Sequence, residues 1–250
     1  ALWALGESVS LAPNQGVLGY TTRLFNDALP AAKRFRNPRS QAFALVGIHA
    51  YLRRFGGDTW IRNVRDSLAK KLYNRFKRNA KEEWPWCEGV ATYSNGILPH
   101  ALMLSGQWLP DADMFNQGIR SLEWLLEVQT NAEGNISLIG CDGWYPRGGE
   151  RAIFDQQPVE IMTLVGACAE AYRATGEQRW ADEMRRCLDW FLGKNDTGAV
   201  LYDFKTGGSR DGLNPEGTNQ NEGAESTLSW LVSLITVYDV IGRDDDLQEE

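Results

Sequence analysis

The sequence predicts an all-α fold, an (α/α)6 toroid of inner and outer helices, and three observations predict it. Helical periodicity recurs down the chain while strand signals are scarce. The helices alternate strictly between two kinds, one apolar or small on nearly every side and one with a charged face. The connections alternate too, short in one direction and long in the other. A helix apolar all round belongs inside, and one with a charged face belongs at the periphery. The pattern is a series of helical hairpins, each with an inner and an outer helix.

The inner helices are a partial one at the start ("ALWALGESV"), then 41–53, 95–104, 159–172 and 226–240. The outer helices are 17–33, 59–78, 112–129 and 177–192. "RSLEWLLEV" (120–128) and "RRCLDWFLG" (185–193) share the pattern Arg-x-Leu-acid-Trp-x-Leu and close two outer helices. The turns "RFGGDTW", "LSGQW" and "ATGEQRW" each offer a glycine where a helix C-cap takes a left-handed residue. About nine helices result, where a closed ring of six hairpins takes twelve. With the start in mid-pattern, the expectation is one domain over 1–250 that lacks its first one to two hairpins.

The long connections run 79–94, 130–155 and 194–222, and antiparallel hairpins place them on one face. Loops beyond about 12–15 residues in a compact domain are usually functional or disordered. These are rich in Trp, Tyr and carboxylates, which favours function.

Composition narrows the chemistry. The 43% hydrophobic content is that of a globular protein, and the net charge of −7 argues against a nucleic-acid partner. The basic run through Arg62, Arg65, Lys70, Lys71, Arg75, Lys77, Arg78 and Lys81 reads as the solvated face of an amphipathic helix. Cys87, Cys141, Cys168 and Cys187 stand far apart, with only His49 and His100 as histidines, so no zinc-type spacing is present and no metal or cofactor is expected. Few cysteines and no visible signal peptide point to the cytoplasm. No apolar run approaches the ~20 residues that cross a bilayer, so no membrane partner is expected.

The first loop carries Trp84, Trp86, Glu88, Tyr93 and Asn95. Its aromatic rings either stack on sugar rings or plug the end of the core. The second, "CDGWYPRGGERAIFDQQPVE" (141–160), carries Asp142, Trp144, Tyr145, Arg147, Glu150, Arg151, Asp155, Gln156, Gln157 and Glu160. Asp155 is also a natural N-cap for the following helix, with Pro158 in its first turn. The third carries Asp203, Arg210, Asp211, Asn219, Glu222 and Glu225. Carboxylates from three loops, aromatic platforms and amides, without a P-loop or nucleotide fingerprint, suit glycoside hydrolysis. That reaction needs one carboxylic acid to protonate the leaving oxygen and a second carboxylate to activate water or attack carbon. Asp155 and Glu222, at helix starts, suit a base or a hydroxyl acceptor, because the helix dipole favours the anion there. Glu88 and Glu150 suit the acid.

"RGGERAIFDQQPVE", "WFLGKND", "LYDFKTGGSRDGL" and "NQNEGAESTL" resemble a bacterial and archaeal family related to the six-hairpin glycosidases. Its members are often encoded beside, or fused to, group-1 glycosyltransferases and mannoside phosphorylases. The resemblance covers nearly the whole chain and implies the toroid, with further helices before those present. Asp155, Gln156, Gln157, Glu160 and Glu225 match the family pattern, as do Glu88, Tyr93 and Asn95. Cys87, Gly89, Ala91 and Ser94 depart from it and remove two acids from the first loop. Glu222 stands where the family has Gln, which weighs against a catalytic role and leaves it a binding candidate.

The leading expectation is a glycoside hydrolase on a mannose-type or related oligosaccharide, inverting by analogy with six-hairpin enzymes. Its catalytic candidates are Asp155, Glu88, Asp142 and Glu150. Its binding candidates are Trp86, Tyr93, Asn95, Trp144, Tyr145, Arg147, Arg151, Gln156, Gln157, Arg210, Asp211, Asn219, Glu222 and Glu225. The alternatives are a non-catalytic sugar-binding or scaffold partner of a glycosyltransferase, and a sugar epimerase with His49 and His100 as proton shuttle.

Overall fold

A computed structural model describes residues 1–242. Nine α-helices lie among them. The inner ones are α1 (Leu2–Ser10), α3 (Pro38–Arg54), α5 (Ile97–Trp108), α7 (Pro158–Thr175) and α9 (Ala224–Val237). The outer ones are α2 (Gln15–Ala32), α4 (Thr59–Asn79), α6 (Ala112–Val128) and α8 (Gln178–Phe191). A π turn, Tyr238–Gly242, follows α9. The inner helices pack in sequence as an arc, α1 on α3, α3 on α5, α5 on α7 and α7 on α9. Each outer helix backs its own inner partner. The predicted alternation is therefore the observed architecture, with boundaries shifted by a few residues.

The helix starts follow from local chemistry. Asn14, Asn37, Asp58 and Asp111 accept backbone N–H groups in the first turns of α2, α3, α4 and α6. Each satisfies a donor that the helix cannot satisfy itself. The inner helices bury most of their surface: in α3 the residues from Gln41 to Leu52 are buried except Phe43. Where α1 crosses α3, a Cβ on Gly6 would lie 2.0 Å from the Gly47 carbonyl oxygen, so only glycine allows that approach.

Three sequence expectations need correction. The glycine C-cap occurs at Gly176, in the left-handed region at φ 68°, whereas Phe55 and Leu109 cap α3 and α5. Gly106 sits inside α5 instead, where a Cβ would meet the Phe115 backbone nitrogen at 2.6 Å, so the glycine serves helix packing. Asp155 is not the cap of α7: Gln157 holds that position in extended conformation, as a residue before proline prefers, and makes no side-chain cap. Third, Ala224–Gly242 spans 19 residues at mean hydropathy 1.2, long and apolar enough to cross a membrane. It packs on α7 and α8 as an inner-ring helix, and a third of it is buried.

In the basic run, Arg65 is buried beside Asp66 at 2.9 Å and departs from the solvated face. Lys71 and Arg75 donate to the carbonyls of Lys33 and Arg36 in the α2–α3 turn.

Candidate active site

The three long loops meet at the N-terminal ends of α3, α5, α7 and α9 through backbone seams. The first seam pairs β1 (Val90–Ala91) with β2 (Tyr145–Pro146), antiparallel, joining loops one and two. The second is a two-way pairing of Gln156 with Leu213, at 2.9 Å in each direction, joining loops two and three. Within loop three, β3 (Leu213–Asn214) pairs with β4 (Gly217–Thr218).

Beneath the first loop lies a charged cluster. Arg39, in the first turn of α3 and 3% exposed, donates to the Tyr93 carbonyl oxygen, to Glu88 Oε2 and to Asn95 Oδ1. Its guanidinium also lies 4.9 Å from the centre of the Tyr93 ring. Glu160, in the first turn of α7 and 2% exposed, accepts the backbone N–H groups of Ser94 and Asn95 and the Asn95 side-chain amide. Burial pushes its carboxyl up to about 7, against those donors and Arg39. Ser94 between them has φ 45°, in the left-handed region that a residue with a side chain seldom adopts.

Above this cluster, Tyr93 (45% exposed) and half-buried Trp144 face each other across loops one and two, with ring centres 6.3 Å apart. Trp144 too is left-handed, at φ 59°. Asp142, Glu150 and Asp155 are exposed on loop two, and among the described residues their side chains make no hydrogen bond or ion pair. Asp142 and Asp155 lie on adjoining backbone, since Cys141 N donates to Asp155 O and Asp142 N to Phe154 O. Half-buried Gln157 lies beside them, 3.9 Å from Cys141 Sγ. Glu225, in the first turn of α9, is exposed.

The other candidates are engaged in contacts within the protein. Trp86 is fully buried between Phe76 and Trp124 and cannot stack on a ligand; it plugs the core, as does Trp84. Tyr145 stacks on Trp124, with ring centres 6.1 Å apart. Gln156 is fully buried, accepting from Trp190 Nε1 and donating to Ile153 O and Asp196 Oδ2, so its amide does not face a cavity. Arg151 donates to the Ser137 and Leu138 carbonyls within its own loop. Arg147 pairs with Glu83 on the rim at 2.7 Å. In loop three, Arg210 bridges Asp203 and Glu222, at 2.8 and 3.0 Å. Asp211 accepts Gly223 N at the start of α9, and Asn219 Oδ1 accepts Asn221 N. These contacts hold the third loop together.

His49 is buried with neither ring nitrogen hydrogen-bonded, and burial lowers both His49 and His100 to about 3, so both are neutral. Among the described residues no three His, Cys, Asp or Glu side chains gather as a metal site would require. A groove of about 430 Å³ lies apart from the loops, between α6 and α8, and its charges are largely paired, Arg179 with Glu123 and Arg186 with Glu183.

The fold defines a class: the arc of helical hairpins is that of an (α/α)6 toroid. No family model matches the chain, and no curated protein matches it. Among solved structures, a GH76 α-mannanase of Bacteroides thetaiotaomicron is similar over 96% of this chain and 68% of its own, at 10% identity and TM-score 0.67. A D-mannose isomerase is similar over 99% and 71%, at 10% identity and TM-score 0.65. An unsaturated glucuronyl hydrolase specific for heparin is similar over 76% of this chain, at 13% identity and TM-score 0.59. The chain spans about half of that hydrolase, 54% of its length. At these identities the likeness establishes the fold.

Proposed function

We propose that this protein is a glycoside hydrolase acting on mannose-type or related oligosaccharides. One observation carries the reading: the exposed carboxylates Asp142, Glu150 and Asp155, without a side-chain partner among the described residues, lie on the loop that carries Trp144, whose ring meets Tyr93. Flat rings can take the apolar face of a sugar. Of two carboxyl groups flanking the glycosidic bond, one protonates the leaving oxygen and the other takes a proton from the attacking water, inverting the anomeric carbon. Asp155 and Asp142 are the first pair to assign, with Glu150 as a further acid. Glu88 is held by Arg39 through Oε2, which suits a hydroxyl acceptor. The names of the similar structures support a sugar as ligand. Four free cysteines support a cytoplasmic location.

The test is hydrolysis of a panel of α- and β-linked oligosaccharides by wild type, D142N, E150Q and D155N. Loss of turnover with retained binding in one or two variants supports the assignment. Wild type that binds the panel and leaves it intact overturns hydrolysis and favours a binding partner of a glycosyltransferase. That second reading is supported by Gly89 and Ser94, which stand where the resembled family carries acids. Burial of His49 supports hydrolase over epimerase, and full activity in H100A removes the epimerase.

A further inference from the structure

Arg39 and Glu160 sit on inner helices that pack on either side of α5. They grip one turn between them, and their bonds are complementary. Arg39 takes the acceptors of the turn, Tyr93 O and Asn95 Oδ1. Glu160 takes its donors, Ser94 N, Asn95 N and Asn95 Nδ2. A left-handed Ser94 persists only where its surroundings over-determine it, and these bonds do so. Buried ion networks contribute little to stability compared with apolar packing of the same volume, so this one calls for another use. Both groups it holds reach solvent. The exposed Tyr93 ring rests on the guanidinium, and Glu88 is pinned through Oε2 with Oε1 left free among the described residues.

We infer that Arg39 and Glu160 are positioning residues of the sugar site, fixing the Tyr93–Asn95 turn so that the Tyr93 ring and the free Glu88 oxygen meet the ligand in one geometry. This role rests on the sugar reading above. They act through Asn95 and the turn backbone and touch no ligand themselves.

The experiment measures amide hydrogen exchange at Ser94 and Asn95 together with the affinity for α-1,6- and β-1,4-mannotriose. The variants are R39K, E160Q, Y93A and the double R39K/Y93A, with E170Q as control. Glu170 is also a buried carboxylate of α7, bonded to Gln107 at 2.7 Å and far along the helix from the turn. Expected are faster exchange at Ser94 and Asn95 in R39K and E160Q and an affinity loss of about tenfold or more. E170Q should keep wild-type affinity. In the Y93A background R39K should cost less affinity than it does in wild type, since the part of its effect that runs through the Tyr93 ring is already gone and only the part through Glu88 remains. Faster exchange with unchanged affinity, or additive losses in the double variant, overturns the role. R39K decides alone if E160Q does not fold. Wild type that binds neither sugar overturns the sugar reading and this role together, whereas normal wild-type binding with unaffected variants overturns this role alone.

Discussion

Glu160 Oε2 lies 3.1 Å from the backbone nitrogen of Asn95 and 3.2 Å from its side-chain amide, so a carboxylate with no access to water is held by the residue that leads into α5. Glu160 has to be ionised to use these donors fully, and burial opposes ionisation.

That opposition sets a pH dependence. The Glu160 carboxyl is raised from 4.5 to about 7, so the folded state holds a proton that the unfolded chain releases. The resulting stabilisation is full below pH 4.5 and disappears as pH rises through 7. It falls by about 1.4 kcal/mol for each pH unit between those two values, or about 3 kcal/mol in all. Urea unfolding of wild type and E160Q at pH 4.5 and pH 8 checks it: the stability difference between them should fall by that amount. A constant difference refutes it.

The two histidines act with the opposite sign. His49 and His100 are lowered from 6.5 to about 3, so the unfolded chain takes up protons first as pH falls. Stability should drop from pH 6.5 towards 3, by about 1.4 kcal/mol per pH unit for each histidine. In H49Q this acid sensitivity should be visibly shallower in denaturation curves recorded between pH 4 and 7.

Two aromatic residues that look alike in the first loop should behave differently. W86A empties a fully buried site and should cost about 3–5 kcal/mol. Y93A removes a ring that is 45% exposed and should unfold near the wild-type midpoint while weakening mannotriose binding. Equal stability losses would contradict the placement of both rings.

Glycine substitutions test the helix contacts. G106A drives a methyl group against the Phe115 backbone and should cost about 1–3 kcal/mol. G57A, with nothing within 4 Å of the added carbon, should stay within about 0.5 kcal/mol of wild type. Thermal unfolding of the two proteins separates these expectations.

The architecture was legible because alternating helix character and loop length follow from burial alone, and burial shows in the order of Leu, Ala and charged residues. The site was legible only in part. Loop two was visible through its density of acids and aromatics, and Tyr93 and Trp144 do meet. Gln156 and Arg210 drew attention for the same polarity, yet that polarity is spent inside the loops, because a long coil must satisfy its own backbone and side chains. Arg39 was missed: its partners are 49 to 56 residues away, and a single arginine after Pro38 reads as a surface charge. The available signal was its position, at the start of a helix otherwise apolar on nearly every side. Glu160 at the start of α7 carries the same mark.

The seams between loops have a consequence for how such a protein can diversify. Loop one is laced to loop two by β1 and β2, and loop two to loop three by Gln156 and Leu213. A loop transplanted singly from a relative would arrive with its edge bonds unmatched on at least one side. The unit of exchange is therefore the whole collar, and ligand preference is more readily altered by single side chains on its exposed lip than by trading one segment.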